Sequence, residues 1–310
     1  MVTEESPLRD LARLIVWYPL RWIISALPIA GALKAMAVLG KVHYLTAAAK
    51  RHLLMENLEV LGGAGIQPSL LVNATQQYFE THYVSQLLVF LFPRLNSTNI
   101  SSIHTFAGLQ KLDRELSRGK GCILLHAHFG PVHLPLFDLG LKKYNVKQIG
   151  YLRKPEGLSR IGERVSFRMR EQLERLIPAE IVQANRFLGS AFKHLKKNGI
   201  LMMTGDGTGR GEFIGNFKPF TFLGQRMLFP VGPAKLANRT ESSIIPIFTI
   251  RVRSSHQYLT IIEDPLACDP READETEITA RFLQIFELYI KRYPGLWHFW
   301  DEFRKGQLVL

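Results

Sequence analysis

The sequence predicts an α/β fold: a mixed, largely parallel sheet flanked by helices, with a helical N-terminal region ahead of it. Three observations lead there. From residue 100 onward, short apolar runs alternate with amphipathic stretches, which is the pattern of successive βαβ units. Before residue 100 the apolar residues recur at helical spacing. A hydrophobic content of 46%, with 10% aromatic residues in a chain of 310, is ample for a buried core, so the chain is expected to be globular.

Residues 17–45 are rich in Leu, Ile, Ala and aromatics, but Arg21, Lys34 and Lys41 interrupt them and Pro28 breaks any helix in the middle. The longest uncharged part, residues 22–33, is too short to cross a bilayer. Glu4, Glu5 and Asp10 precede the run and no obvious small-residue cleavage site follows it, unlike a secretory signal. Arg9, Arg13, Arg21, Lys34 and Lys41, together with Trp17, Tyr18 and Trp22, fit a helix pair lying in a lipid headgroup layer. A helical hairpin within the core is the alternative. Residues 1–45 are accordingly assigned to a membrane-associating segment and 46–310 to the main domain, split into a helical lead-in (46–99) and an α/β core (100–310).

In the lead-in, one helical pattern ends at Gly62-Gly63 and a second, over 68–92, ends at Pro93. The core pattern predicts strands over 122–127, 147–152, 200–204, 244–251 and 258–262, and helices over 132–144, 160–176 and 275–293. No internal repeat or low-complexity tract interrupts it.

The charge balance points to anionic partners: 39 Lys and Arg against 27 Asp and Glu give a formal +12. Nucleic acid, phospholipid headgroups and an acidic carrier protein all qualify, but no nucleic-acid recognition motif accompanies the charge. The two cysteines, Cys122 and Cys268, lie far apart without CxxC spacing, which suggests neither a disulfide framework nor a thiolate zinc site and fits a reducing, cytosolic-side location.

Chemistry concentrates in Leu124-Leu125-His126-Ala127-His128-Phe129-Gly130-Pro131-Val132-His133. Alternation along an extended strand puts His126 and His128 on one face. Gly130 permits a tight strand-to-helix turn and Pro131 suits a first helical position, so His133 falls in the helix's first turn, able to fold back toward His128. His126 alone reads most simply as a satisfied core residue, with support of His128 as its functional role. Two chemistries suit the cluster. Three histidines can hold Zn²⁺ with an open water position, making a hydrolase, although no HxHxDH or HExxH accompanies them. Alternatively, His128 is a general base that takes the proton of an acceptor hydroxyl attacking an activated acyl group.

The run Lys120-Gly121-Cys122-Ile123-Leu124-Leu125-His126-Ala127-His128-Phe129-Gly130 resembles the first block of the bacterial late acyltransferases of lipid A biosynthesis, in the glycerolipid acyltransferase superfamily, whose motif is His, four residues, then Asp or Glu. Further blocks resemble theirs in order: Tyr151-Leu152-Arg153, the strand 199–206 ending in Asp206, Phe220-Thr221-Phe222-Leu223-Gly224, Gly232 to Ala237, Ile244 to Phe248, and Tyr293 to Trp300 followed by Phe303-Arg304-Lys305. No single block is specific; the ordered series, over roughly residues 50–305, is.

The resemblance implies a glycerolipid acyltransferase-like fold. It also implies transfer of a fatty acyl chain, usually from acyl carrier protein, to a hydroxyl of a membrane glycolipid at the cytoplasmic face of the inner membrane, without metal or bound cofactor. The departure is His133, which stands where the family has its acid and cannot offer a full negative charge. His133-Leu134-Pro135-Leu136-Phe137-Asp138 satisfies the motif in a second frame, but at the expense of the preceding strand block. A relay reconciles the two, with His128 as base, His133 as its orienter, and Asp138 or Asp206 polarising His133. The glycine-rich loop 205–211 matches no nucleotide-binding spacing and reads as an active-site loop in which Asp206 and Arg210 contact substrate or Asp206 supports the histidines. Arg153, and the series Arg160, Arg164, Arg168 and Arg170, are candidates for phosphate groups of the acceptor or the carrier's arm, with a solvated helix face as the plain account of the series. Two rivals to the acyltransferase remain: the zinc hydrolase on His126, His128 and His133, and a catalytically impaired relative that binds lipid.

Overall fold

The computed structural model describes residues 5–64, 67–150, 157–184, 189–207, 214–252, 257–267, 273–304 and 308–310. Its N-terminal part is helical. Helix α1 (Pro7–Ile15) starts where Ser6 caps the amide of Arg9 and Pro7 supplies a preset φ. A π-helical turn around Pro19 leads into α2 (Arg21–Ala26), and Pro28 then restarts the chain as α3 (Ile29–Thr46). Helices α4 (Ala48–Leu58) and α5 (Pro68–Leu87) complete the lead-in. None of the described helices is long and apolar enough to cross a membrane. Large apolar side chains nonetheless face outward from α1 to α2: Leu8, Leu11, Ile15, Tyr18, Trp22 and Ile23 are all exposed.

The core begins with β1 (His104–Ala107), α6 (Leu109–Ser117), β2 (Cys122–His126) and α7 (His133–Leu141). It continues with β3 (Val146–Gly150), a π-helical stretch leading into α8 (Arg168–Glu174), β4 (Glu180–Gln183), α9 (Gly189–Lys196) and β5 (Ile200–Thr204). A hairpin of β6 (Phe217–Phe222) and β7 (Gln225–Pro230) precedes α10 (Gly232–Thr240), β8 (Ser243–Arg251), β9 (Tyr258–Ile262) and α11 (Glu275–Arg292). The seven-stranded sheet runs β1-β9-β8-β2-β5-β3-β4, and only the β8–β9 pair is antiparallel. The expected mixed, largely parallel sheet with helices on its faces is the architecture found. Of the expected strand 147–152, the last two residues lie outside the described ones.

β2 sits in the middle, all five of its residues buried between β5 and β8, as a strand covered on both faces must be. Its side chains divide between two apolar clusters. Ile123 and Leu125 enter the one built with α11 and the C-terminal aromatics; Cys122 and Leu124 enter the one built with α7 and the N-terminal helices. The second cluster runs from Trp17 and Met36 through Phe90 to Ile200, so the N-terminal helices and the sheet share one core. A sealed polar chain ties its far side. His104 Nδ1 donates to Asp138 at 2.8 Å, and Thr260 Oγ1 lies 2.7 Å from His104 Nε2 and 2.8 Å from Thr249 Oγ1.

Helices α3 and α5 cross at Gly40, where an added Cβ would stand 2.5 Å from the Phe79 carbonyl oxygen and 2.6 Å from Glu80 Cα. Any side chain there must push the helices apart. Gly40→Val is therefore expected to destabilise the fold by about 1–3 kcal/mol through overpacking, read as a lower thermal midpoint; an unchanged midpoint would contradict this crossing.

Candidate active site

The parallel ladder of β2 ends at His126, and the chain immediately turns: the Phe129 amide donates to the Ala127 carbonyl at 2.7 Å. Gly130 then adopts φ +66°, and a Cβ on it would lie 2.3 Å from the Thr249 carbonyl oxygen. Both facts demand glycine. The C-terminal segment clamps the same turn. Gly130 N donates to Leu296 O at 2.9 Å, His298 N donates to His128 O at 2.9 Å, and the His298 ring donates to Gly130 O at 2.9 Å. The Phe299 ring packs 4.5 Å from the His128 ring.

Beside this turn, β5 ends and delivers Asp206. The Gly205 amide binds the His126 carbonyl at 2.7 Å, which carries the pairing of the two strands one residue beyond the ladder. The buried Asp206 carboxylate accepts from three donors: His128 N at 2.8 Å, His128 Nδ1 at 2.9 Å and Trp297 Nε1 at 3.1 Å. Because a carboxylate only accepts, the proton of neutral His128 resides on Nδ1 and Nε2 keeps its lone pair. The His128 side chain is 31% exposed, whereas that of Asp206 is sealed. Desolvation pulls the His128 pKa down, but the Asp206 charge and hydrogen bond, aided by Glu302, outweigh it and the net shift is upward. A half-open imidazole, locked in one tautomer and made more basic, is equipped to take a proton from a substrate hydroxyl.

The other residues singled out in the sequence fall as follows. Asp206 occupies the orienting position at His128 Nδ1, which the relay assigned to His133. His133 instead has its Nδ1 buried with no hydrogen-bond partner among the described residues, and its ring lies 6.2 Å from that of Phe92. Asp138 binds His104 and, at 2.7 Å, Lys142. No relay from Asp138 to His133 forms, because five residues along a helix turn the side chain about 140° away. His126 donates from Nδ1 to the Ala127 carbonyl at 3.1 Å, and its buried Nε2 has no partner among the described residues. Among the described residues no group of three or more His, Cys, Asp or Glu side chains is arranged to ligate a metal, so His126, His128 and His133 do not form the three-histidine site of the hydrolase alternative. Arg153 and Arg210 lie outside the described residues. In the arginine series, Arg160, Arg164 and Arg168 are exposed, Arg168 pairs with Glu163, and Arg170 binds Glu174 at 2.7 Å and Gln86 at 2.9 Å. Sequence reasoning missed Trp297, His298 and Phe299 as parts of the site, since only their place in an ordered block marked them.

Four histidines near the base share an opposite electrostatic state. Burial, reinforced by neighbouring cations or imidazoles, lowers His82 and His133 to about 3 and His126 and His298 to about 4, from an ordinary 6.5. In the unfolded chain these rings protonate near 6.5, so below that pH the unfolded state binds more protons and the folded state loses ground. The thermal midpoint is therefore expected to be flat above about pH 7 and to fall steadily on acidification through pH 5; a midpoint that rose over that window would refute these assignments.

None of the curated proteins matches the chain. The family described as bacterial lipid A biosynthesis acyltransferase matches over residues 6–303, nearly the whole chain. That span takes in the N-terminal helices, the entire sheet, the His128 turn and the C-terminal segment that clamps it, and the chain accordingly belongs to the bacterial lipid A biosynthesis acyltransferase family.

Proposed function

We propose that this acyltransferase moves a fatty acyl chain from a thioester, carried on acyl carrier protein, to a hydroxyl of a membrane glycolipid such as a lipid A precursor. The observation that carries the reading is the contact of His128 Nδ1 with the sealed Asp206 carboxylate at 2.9 Å, beside a half-open ring. His128 Nε2 takes the acceptor's proton as its oxygen attacks the thioester carbonyl, and the Asp206 carboxylate stabilises the imidazolium that forms. The tetrahedral intermediate then expels the carrier thiolate, which takes the proton back from His128. The new ester and the free thiol balance the step. Neutral His133, in the family's acid position, leaves the orienting charge to Asp206.

Two surfaces support the substrates and the location. The formal +12 charge and the exposed Arg160, Arg164 and Arg168 suit an acidic carrier or lipid phosphate; Arg153 as a phosphate contact and Arg210 as a substrate contact are proposed from the sequence alone. On α1, Leu8, Leu11 and Ile15 recur at helical spacing, and Tyr18 and Trp22 meet edge to face at 6.2 Å, all exposed. This face, near Arg9 and Arg21, suits a helix lying in the headgroup layer of the inner membrane's cytoplasmic leaflet, with residues 1–45 as the associating segment.

Incubated with acyl carrier thioester and glycolipid acceptor, the protein should form acylated lipid, and His128→Ala should lower the rate by a factor on the order of 10³ or more. Unchanged turnover in that variant would refute the assignment. Asp206→Asn removes the charge that raises the His128 pKa, so the acid limb of the kcat/KM profile should move to lower pH while the rate falls; a limb that stays in place would leave Asp206 without the orienting role. Trp22→Asp combined with Ile23→Asp should reduce sedimentation with anionic vesicles, and undiminished sedimentation would exclude this face as the contact.

A further inference from the structure

Among the polar groups around the base, His126 has a chemical feature that the transfer step does not use. Its ring is 4% exposed, at the last rung of β2 between Thr204 of β5 and Ile247 of β8. Nδ1 lies 3.1 Å from the Ala127 carbonyl oxygen, which can only accept, so Nδ1 carries the proton and Nε2 is a bare acceptor. Among the described residues that buried Nε2 has no hydrogen-bond partner. The charges of His128 and Asp206 act on this ring, and the ring acts on His133, so it belongs to the surroundings of the base. Buried acceptors in folded proteins are nearly always satisfied, by protein or by ordered water, so a bare one in the surroundings of His128 calls for a donor.

We propose that His126 is a substrate-positioning residue whose Nε2 accepts a hydrogen bond from an amide N–H of the bound substrate. The inference rests on the acyl-transfer reading above. The attacking hydroxyl has a single proton, and His128 receives it, so the partner of His126 is a second donor. Amides occur close to the reacting centre in two places: in the pantetheine-type arm two carbons from the thioester sulfur, and on an N-acylated sugar next to an acceptor hydroxyl. With a neutral acceptor at this point the site selects a donor group and not an anion.

The test uses the full chain in mixed micelles, with His126→Leu to remove the acceptor and His126→Gln to return an oxygen at similar reach. His126→Leu should raise the KM of one substrate about tenfold and leave kcat nearly unchanged, the loss expected of one hydrogen bond with its partner left unpaired. The acid limb set by His128 should not move, and His126→Gln should recover most of the loss. A carrier analogue with that amide replaced by an ester should match the defect, and add nothing to His126→Leu, if the arm supplies the donor. The same comparison on an O-acyl acceptor identifies the sugar instead. If His126→Leu does not fold, the imidazole ¹⁵N resonance of the native protein serves, since Nε2 must shift when substrate binds. A folded His126→Leu with both KM values unchanged, or a ¹⁵N resonance indifferent to substrate, overturns the inference alone. Native protein without transfer activity overturns it together with the reading beneath it.

Discussion

The Asp206 carboxylate is the point on which this structure turns. A buried carboxylate is costly unless donors surround it, and here the three donors come from segments far apart in sequence: the backbone and ring of His128 and the indole of Trp297. Satisfying them fixes the end of β2 against the end of β5 and brings the C-terminal segment over both. The local geometry follows from the same need. Gly130 must turn with positive φ where it does because the chain has to leave the sheet beside Thr249 while His128 stays within reach of Asp206.

Around this pair the protein keeps the environment electrically quiet. Four neighbouring imidazoles are held neutral by burial, and one, bonded to the carboxylate, is raised. Proton affinity is thus concentrated in a single half-open ring. The contrast needs no unusual residue, only the difference between burial with a charge partner and burial without one.

The strands and helices of the core were legible wherever apolar runs were long enough to show a period, and the strand over 258–262 was read with the bounds it has in the structure. The short edge strands β1 and β4 were not, since four residues with one or two apolar positions carry no period. The histidine at the end of β2 was legible as a candidate base, because the strand-turn-helix punctuation is local. Its carboxylate partner was legible only as one alternative, Asp206 supporting the histidines or polarising His133, and the direct contact of Asp206 with His128 was not. Spacing along the chain pointed to positions 133 and 138, whereas the ends of paired strands decide the matter: the ladder closes with His126 opposite Thr204, and just past it His128 bonds Asp206. Sequence distance is a poor guide in a parallel sheet, where neighbours are separated by whole crossover units. His104, the actual partner of Asp138, lay in a strand too short to be seen.

The clamp supplied by residues 296–298 also sets an order of events. His128 and Asp206 are both synthesised well before Trp297 and His298, yet the turn that carries His128 is held by the Leu296 carbonyl and the His298 amide, and Asp206 by the Trp297 indole. A nascent chain therefore has His128 and Asp206 before it has the segment that holds the turn between them. A chain released before residue 296, with every strand of its sheet already made, would leave that turn unheld.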